Sequence, residues 1–284
     1  MSSRLSASAR AYSDPQWYEM LVASIDNPEV DGIRFPGFPS GEIQKMMVGS
    51  AFAETLAEAR NFYSMLKDLS AKAGNPVTQQ SRFLDFGCGW GRFLRFAWKD
   101  VEEPNLHGCD INDSILDVCR ETGVPGRIER IEPFGSLPYA EGHFDTVMAY
   151  SVFTHLPEQV HLRWMGELAR VMRAGGLFFL TLEPRRFMDF ILFSETDNPH
   201  RMLGEHRANL PAFFAQFDRG EFVFMPTNKG IEDYYGDAVV PMSWIRTHWA
   251  PYFQVLVYIN DPAKFGQAVL VVRRTGEPFS ASPG

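Results

Sequence analysis

At 284 residues, with 45% hydrophobic and 14% aromatic side chains, the chain is long enough for one substantial domain with an accessory element and too apolar to stay disordered. Its formal charge of −8, without any block of Lys or Arg, argues against a surface that tracks a phosphate backbone, so no nucleic-acid partner is expected. No run approaches the roughly 18 apolar residues of a membrane span, Met1 to Ser13 has no apolar leader core, and the odd set Cys88, Cys109 and Cys119 lacks metal-ligand spacing, which together predict a soluble cytoplasmic protein with reduced buried thiols, no membrane partner and no metal.

Residues 14–69 read as helical. Trp17, Met20 and Leu21 give one apolar face, and Phe52, Leu56, Ala59 and Phe62/Tyr63 give another at three-to-four spacing. The intervening loop, Asp31 to Gly41, is dense in Pro and Gly yet carries three large apolar residues, so it packs either on the core or on a ligand. From Arg82 the pattern becomes short apolar runs alternating with helical periods. Strands are predicted at 82–86, 105–109, 127–131, 144–150 and 177–182, the form of a parallel sheet covered on both faces. The clearest helix starts at Pro157, runs through Val160, Trp164, Leu168 and Val171, and is expected to stop at Gly175-Gly176. Residues 184–240 break the rhythm with an aromatic-rich stretch too long for an ordinary connection, read as a substrate cap. A helix at 243–249 and strands at 253–259 and 267–273 follow, the short link between them implying an antiparallel pair that closes the sheet. The domain reading is an N-terminal helical extension, 1–75, packing on a core of 76–284 that carries the cap.

The most informative segment is Arg82-Phe-Leu-Asp-Phe-Gly-Cys-Gly-Trp-Gly-Arg92, an apolar strand entering a helix through Gly87, Gly89 and Gly91. Alternate glycines let a backbone turn sharply and approach a ligand closely. Asp110 ends the next strand about twenty residues on, where a carboxylate can accept from both ribose hydroxyls of an adenosine; the alternative is a helix N-cap. A dinucleotide fold wants its third glycine three positions after the second, and here it comes after two. Asp85 would repel a phosphate and suit an ammonium or sulfonium. A cationic adenosyl ligand is therefore expected, and a nicotinamide dehydrogenase is disfavoured.

Asp85-Phe-Gly-Cys-Gly-Trp-Gly91 resembles the first motif of class I S-adenosylmethionine-dependent methyltransferases, and Asp110 their acidic second motif. Leu137-Pro-Tyr139 with Phe144 to Tyr150 is similar to the third and fourth motifs, and Leu168 to Leu177 to the segment entering the fifth strand. The resemblance covers residues 80–183, and 241–274 by strand pattern. It implies a Rossmann-like α/β fold with a seven-stranded, mostly parallel sheet whose last strand is antiparallel. It also implies S-adenosylmethionine as cofactor and S-adenosylhomocysteine as product. By the resemblance, Asp85, Gly87, Cys88, Gly89 and Gly91 form the loop at the methionine part, Asp110 meets the ribose, Ile111 meets an adenine face, and Tyr150 and Ser151 line the methyl-donor end. Pro133-Phe134 replaces the family's usual acidic and small pair, leaving Phe134 either to stack on adenine or to serve as core.

Methyl transfer from a sulfonium is an in-line displacement that needs a held acceptor and, for a hydroxyl, a place for its proton. His155 follows the fourth strand at the edge where open α/β folds place their sites, as a base or acceptor contact, or as a residue ordering the next helix. Glu183 ends the fifth strand and can orient an acceptor. Arg185 and Arg186 can bind an acidic one or remain solvated. His200 and His206, with Asp197 and Glu205, have no metal-ligand spacing. Tyr234 and Tyr235, with Trp244 and His248, can wall an aromatic or glycosyl acceptor or serve as core. Tyr150-Ser-Val-Phe153 is not the Asn/Asp-Pro-Pro-aromatic run of amino-methylating nucleic-acid enzymes, and no Pro-Cys pair of cytosine-C5 enzymes occurs. A small-molecule acceptor, methylated on a glycan or secondary-metabolite hydroxyl, is the resulting expectation. A non-catalytic binding protein and a protein methyltransferase are its alternatives. Nothing in the sequence bears on oligomeric state.

Overall fold

A computed structural model describes residues 5–193, 206–227 and 230–276. By packing, these divide into one unit holding the residues up to Glu132 with Phe144–Met148, and another holding Pro133–His143 and the residues from Ala149 on.

The first unit opens with helices α1 (Ala7–Arg10) and α2 (Asp14–Ala23), a hairpin of β1 (Glu29–Val30) and β2 (Ile33–Arg34), then α3 (Gly41–Val48) and α4 (Ala53–Lys72). A capping box between Ser13 and Gln16 starts α2. That helix buries Trp17, Met20 and Leu21, as its spacing predicts. Phe52 departs from the predicted α4 stripe: it is the N-cap residue, with φ 53°, and 39% exposed. Leu56, Ala59, Phe62 and Tyr63 do bury, with Phe62 against Phe93 and Tyr63 against Phe83 and Phe96.

Next come β3 (Phe83–Phe86), α5 (Arg92–Asp100), β4 (Leu106–Asp110), α6 (Asp113–Thr122), β5 (Arg127–Arg130) and β6 (Phe144–Ala149). β4 lies parallel between β3 and β5, and β6 pairs parallel with β3. The Asp31–Gly41 loop packs on this core. Phe35 meets Trp17 and Trp98 at 5.0 and 6.2 Å between ring centroids, and Phe38 lies 6.0 Å from Trp90. The Arg95 guanidinium, fully buried, donates to the Pro36 and Gly37 carbonyls at 2.8 and 2.7 Å. Burial lowers its pKa to about 9. Arg10 donates to the carbonyls of Trp98, Lys99 and Val101, all at 3.1 Å, so groups at the end of α5 gain a charged donor.

The second unit contains α7 (Glu158–Val171), β7 (Met172–Leu182), α8 (Arg186–Phe193), α9 (Leu210–Asp218), β8 (Val223–Met225), β9 (Asp237–Val239), α10 (Met242–His248), β10 (Phe253–Ile259) and β11 (Ala268–Arg274). α7 ends at Val171 rather than at the glycines. Met172 is already extended, and Gly175-Gly176 lie inside β7, with Gly175 at φ 77°. β11 runs antiparallel to both β7 and β10. One seven-stranded sheet results, in the order β10-β11-β7-β6-β3-β4-β5. The 184–240 segment has a small core of its own: Phe187, Met188 and Ile191 of α8 pack with Leu210, Val223, Met225 and Val239. Among the described residues no helix is long and apolar enough to cross a membrane.

Candidate functional site

In the first unit β3 delivers the chain into three left-handed glycines, Gly87, Gly89 and Gly91, at φ 75°, 52° and 76°. Side chains rarely adopt that region, so the spacing is a backbone requirement. A Cβ on Gly91, the N-cap of α5, would stand 2.4 Å from Val124. The loop's N–H groups are largely consumed within the fold. Those of Gly87 and Cys88 go to the Cys109 carbonyl at 2.8 and 2.9 Å, that of Gly91 to the Cys88 carbonyl at 2.9 Å, and that of Gly89 to Asp110 Oδ2 at 3.0 Å. A phosphate cradle presents such groups outward; this loop does not, in keeping with a cationic ligand.

Asp110 Oδ1 accepts from the Asn112 N–H at 3.0 Å. The N-cap of α6 is Asn112, whose side chain accepts from Ile115 N, so the alternative reading of Asp110 as a cap is replaced. Each carboxylate oxygen can accept a second bond, leaving capacity for hydroxyls. Burial raises the Asp110 pKa, and the N–H groups of Asn112, Gly89 and Ile111 pull it back. Asp85 is more extreme: it is 1% exposed and its Oδ2 has no hydrogen-bond partner. Burial lifts its pKa to about 8, opposed by Arg92 and assisted by Asp110. A buried carboxyl with one oxygen lacking a hydrogen-bond partner, beside a glycine loop, fits the ammonium of a methionine moiety. Ile111, 37% exposed, offers an apolar face beyond Asp110. Cys88 and Cys119 both direct their thiols at the Gly89 carbonyl, at 3.7 and 3.1 Å. Hydrogen bonding to Cys119, then burial, raises the Cys88 pKa, which disfavours the thiolate and suits Cys88 to packing.

In the second unit Tyr150 and Ser151 leave β6. Ser151 is held at φ 56°, with its N–H donated to Thr181 Oγ1 at 2.7 Å. Gln267 Nε2 donates to both Ser151 Oγ (2.9 Å) and Glu183 Oε1 (3.0 Å), tying together residues that follow β6 and β7. His155 donates from Nδ1 to the Gly236 carbonyl at 2.8 Å, stacks on Tyr235 with centroids 4.6 Å apart, and has Asp237 Oδ1 3.5 Å from the same nitrogen. β9 is anchored here, since Gly236 N and Ala238 N donate to the His155 and Thr154 carbonyls. Phe134 is 52% exposed and edge-on to Tyr234, so it is not core. Arg185 is engaged by Asp218 in a two-point ion pair, at 2.9 and 3.1 Å, and Arg186 donates to the Phe265 and Gly266 carbonyls. Trp244 is core: it is 4% exposed, stacks on His248 and donates to Glu158 Oε1 at 2.9 Å. His206 donates to the Pro226 carbonyl at 2.9 Å, while Asp197, His200 and Glu205 lie outside the described residues.

Thr181, Asp237 and Gln267 escaped the sequence reading. For Asp237 a signal existed, in a lone polar residue opening an otherwise apolar strand, and for Gln267 in a polar residue just before the apolar run of β11. Thr181 gave none.

A methyltransferase-domain family model matches residues 83–176, the span holding the glycine loop, Asp110 and His155. The matched span is thus similar to a methyltransferase domain. The chain is 30% identical over 139 residues to the sarcosine/dimethylglycine N-methyltransferase of Halorhodospira halochloris, covering 45% of this chain and 46% of that protein. It is 30% identical over 124 residues to the methyltransferase GfsG of Streptomyces halstedii, covering 38% and 44%. The chain thus spans less than half the length of these relatives. Its fold is similar to that of an S-adenosylmethionine-dependent methyltransferase from Clostridium acetobutylicum, with TM-score 0.55 at 10% identity over 83% of this chain and 97% of the other. It is also similar to the magnesium protoporphyrin IX methyltransferase of Synechocystis, with TM-score 0.51 at 12% identity over 82% and 94%.

Proposed function

We propose that this chain transfers a methyl group from S-adenosylmethionine to a small molecule, with a hydroxyl oxygen as acceptor. The observation that carries the reading is the buried Asp85 carboxyl, whose Oδ2 has no hydrogen-bond partner, beside a glycine loop whose own N–H groups are largely spent internally. Asp85 would hold the ammonium, Asp110 the ribose hydroxyls, and Ile111 an apolar face of the adenine. When bound, S-adenosylmethionine supplies an electrophilic methyl on a sulfonium. The chain's own contribution is to orient the acceptor, exclude water and receive a proton. A ring nitrogen facing a carbonyl must donate, so neutral His155 keeps its lone pair on Nε2. His155 takes the hydroxyl proton there, and Asp237 beside Nδ1 offsets the charge that develops. Ser151, held by Gln267 and Thr181, and Glu183 orient the acceptor. Tyr234 and Tyr235 wall it, with residues 184–240 as a cap over it. Arg185, neutralised by Asp218, has less charge to offer an acidic acceptor than its sequence position suggests.

A nitrogen acceptor is the second reading, supported by the Halorhodospira relative, named for methylating sarcosine and dimethylglycine. Calorimetric titration with S-adenosylmethionine and S-adenosylhomocysteine tests the cofactor. Asp110→Ala should weaken binding by about 10- to 150-fold, the loss of charge-assisted bonds worth about 1.5–3 kcal/mol, and unchanged affinity would remove the ribose assignment. Transfer of isotopically labelled methyl to hydroxylated and amine compounds separates the two acceptors. His155→Ala should slow transfer while leaving cofactor affinity intact; a wild-type rate returns His155 to a purely structural role.

A further inference from the structure

The space over the middle glycine is filled by a residue far from it in sequence. Among the described residues, the one atom within 4 Å of where a Cβ on Gly89 would stand is Met47 Cε, at 3.3 Å. Met47 is half-buried on α3, and Gln44 is that helix's only buried side chain. Gln44 ties the segment to itself: Nε2 donates to the Pro39 carbonyl at 2.9 Å and Oε1 accepts from Phe52 N at 2.8 Å. Two positive-φ residues follow the helix. Gly49 closes α3 in the left-handed region, and Phe52 starts α4 at φ 53°. Immediately before the segment, Phe38 and the carbonyls of Pro36 and Gly37 are fixed on Trp90 and Arg95. The helix is thus firmly stapled internally, anchored just upstream, and laid on the glycine loop through a flexible thioether.

We infer that Met47 is a cofactor-contact residue and that α3 forms a wall of the cofactor site at the glycine loop. The inference rests on the loop binding S-adenosylmethionine. Whatever lies on Gly89 must meet or displace the methyl group now standing over it. An unbranched thioether suits the task, since it repacks at little cost around a ligand that enters and leaves.

Neighbouring Met46, 79% exposed, supplies an internal control. The whole chain is treated with dilute hydrogen peroxide, free and saturated with S-adenosylhomocysteine as followed by calorimetry. Sulfoxide at each methionine is then read from fragment ions. Because oxidation follows exposure, the ligand should slow Met47 about fivefold or more and leave Met46 within about twofold. Met47→Ala should weaken S-adenosylhomocysteine binding by about tenfold and Met47→Leu by less than about threefold, the difference reflecting apolar contact area. Unchanged or faster Met47 oxidation at saturation, or full affinity in Met47→Ala, overturns the inference. Absence of any calorimetric binding overturns the cofactor reading itself, and the inference with it.

Discussion

The buried carboxyl of Asp85 couples ligand binding to protons in a direction that can be worked out. In the folded chain it titrates near 8, against about 3.9 for an unperturbed Asp. Between those values the folded state holds a proton that the unfolded state has lost. Its contribution to stability is therefore complete below about pH 4 and is lost as pH rises towards 8. A cation placed against Oδ2 favours the ionised form. Cofactor binding at pH 7 should then release about one proton, and at pH 9.5 almost none. Calorimetry in two buffers of different ionisation enthalpy measures this, and equal heats at pH 7 would remove Asp85 from the site. Asp85→Asn abolishes the charge. At pH 8.5 the ligand-free variant should melt at least about 2 °C above the wild type, corresponding to about 1 kcal/mol, while losing cofactor affinity. At pH 4.5 the two should melt together. On the proposed reading, function is built on a group that the empty protein would be more stable without.

At the scale of the element, the strand-to-helix turn is governed by two separate demands that the sequence shows as one motif. Left-handed dihedrals require all three glycines, and Gly91 is held by packing as well, with Val124 at 2.4 Å from a Cβ it lacks. Gly91→Ala should cost about 2–5 kcal/mol, combining a left-handed alanine at about 1–2 kcal/mol with overpacking at about 1–3. Adding Val124→Ala should recover only the packing part, which a double-mutant cycle on denaturant midpoints separates. No recovery would place the whole cost in the backbone. The motif was legible because it is local: strand, glycines and Asp110 lie within 28 residues. Asp31-Gly32, with both residues at positive φ, joins β1 to β2 and carries an ordinary hairpin signal that the short flanking strands obscured. Gly175-Gly176 misled for the opposite reason, since an extended strand accommodates what ends most helices.

Across the whole molecule, alternation of apolar runs and helical periods made the seven strands legible, because β3, β4, β6 and β11 are buried along nearly their whole length. The network around Gln267 was not, since a hydrogen bond spanning 116 residues, to Ser151, leaves no periodic trace. The same holds for the aromatic interior of the second unit, where Phe153, Phe222, Trp244 and Trp249 surround His161 at 4.8–5.5 Å. His161 is fully buried with both ring nitrogens unpartnered. Burial, with a smaller effect of His248, lowers its pKa to about 3. The unfolded chain regains an ordinary imidazole near 6.5, so below that pH unfolding takes up a proton. The stability tied to His161 is complete above pH 6.5 and is lost as pH falls towards 3, about 2 kcal/mol of it between pH 7.5 and 5. His161→Leu removes both the titration and the two unsatisfied nitrogens. Its denaturant-derived stability should fall less steeply over that interval than that of the wild type, by about the same 2 kcal/mol. Parallel pH profiles would mean that the imidazole finds a partner or water on folding and that the aromatic cluster does not hold it neutral.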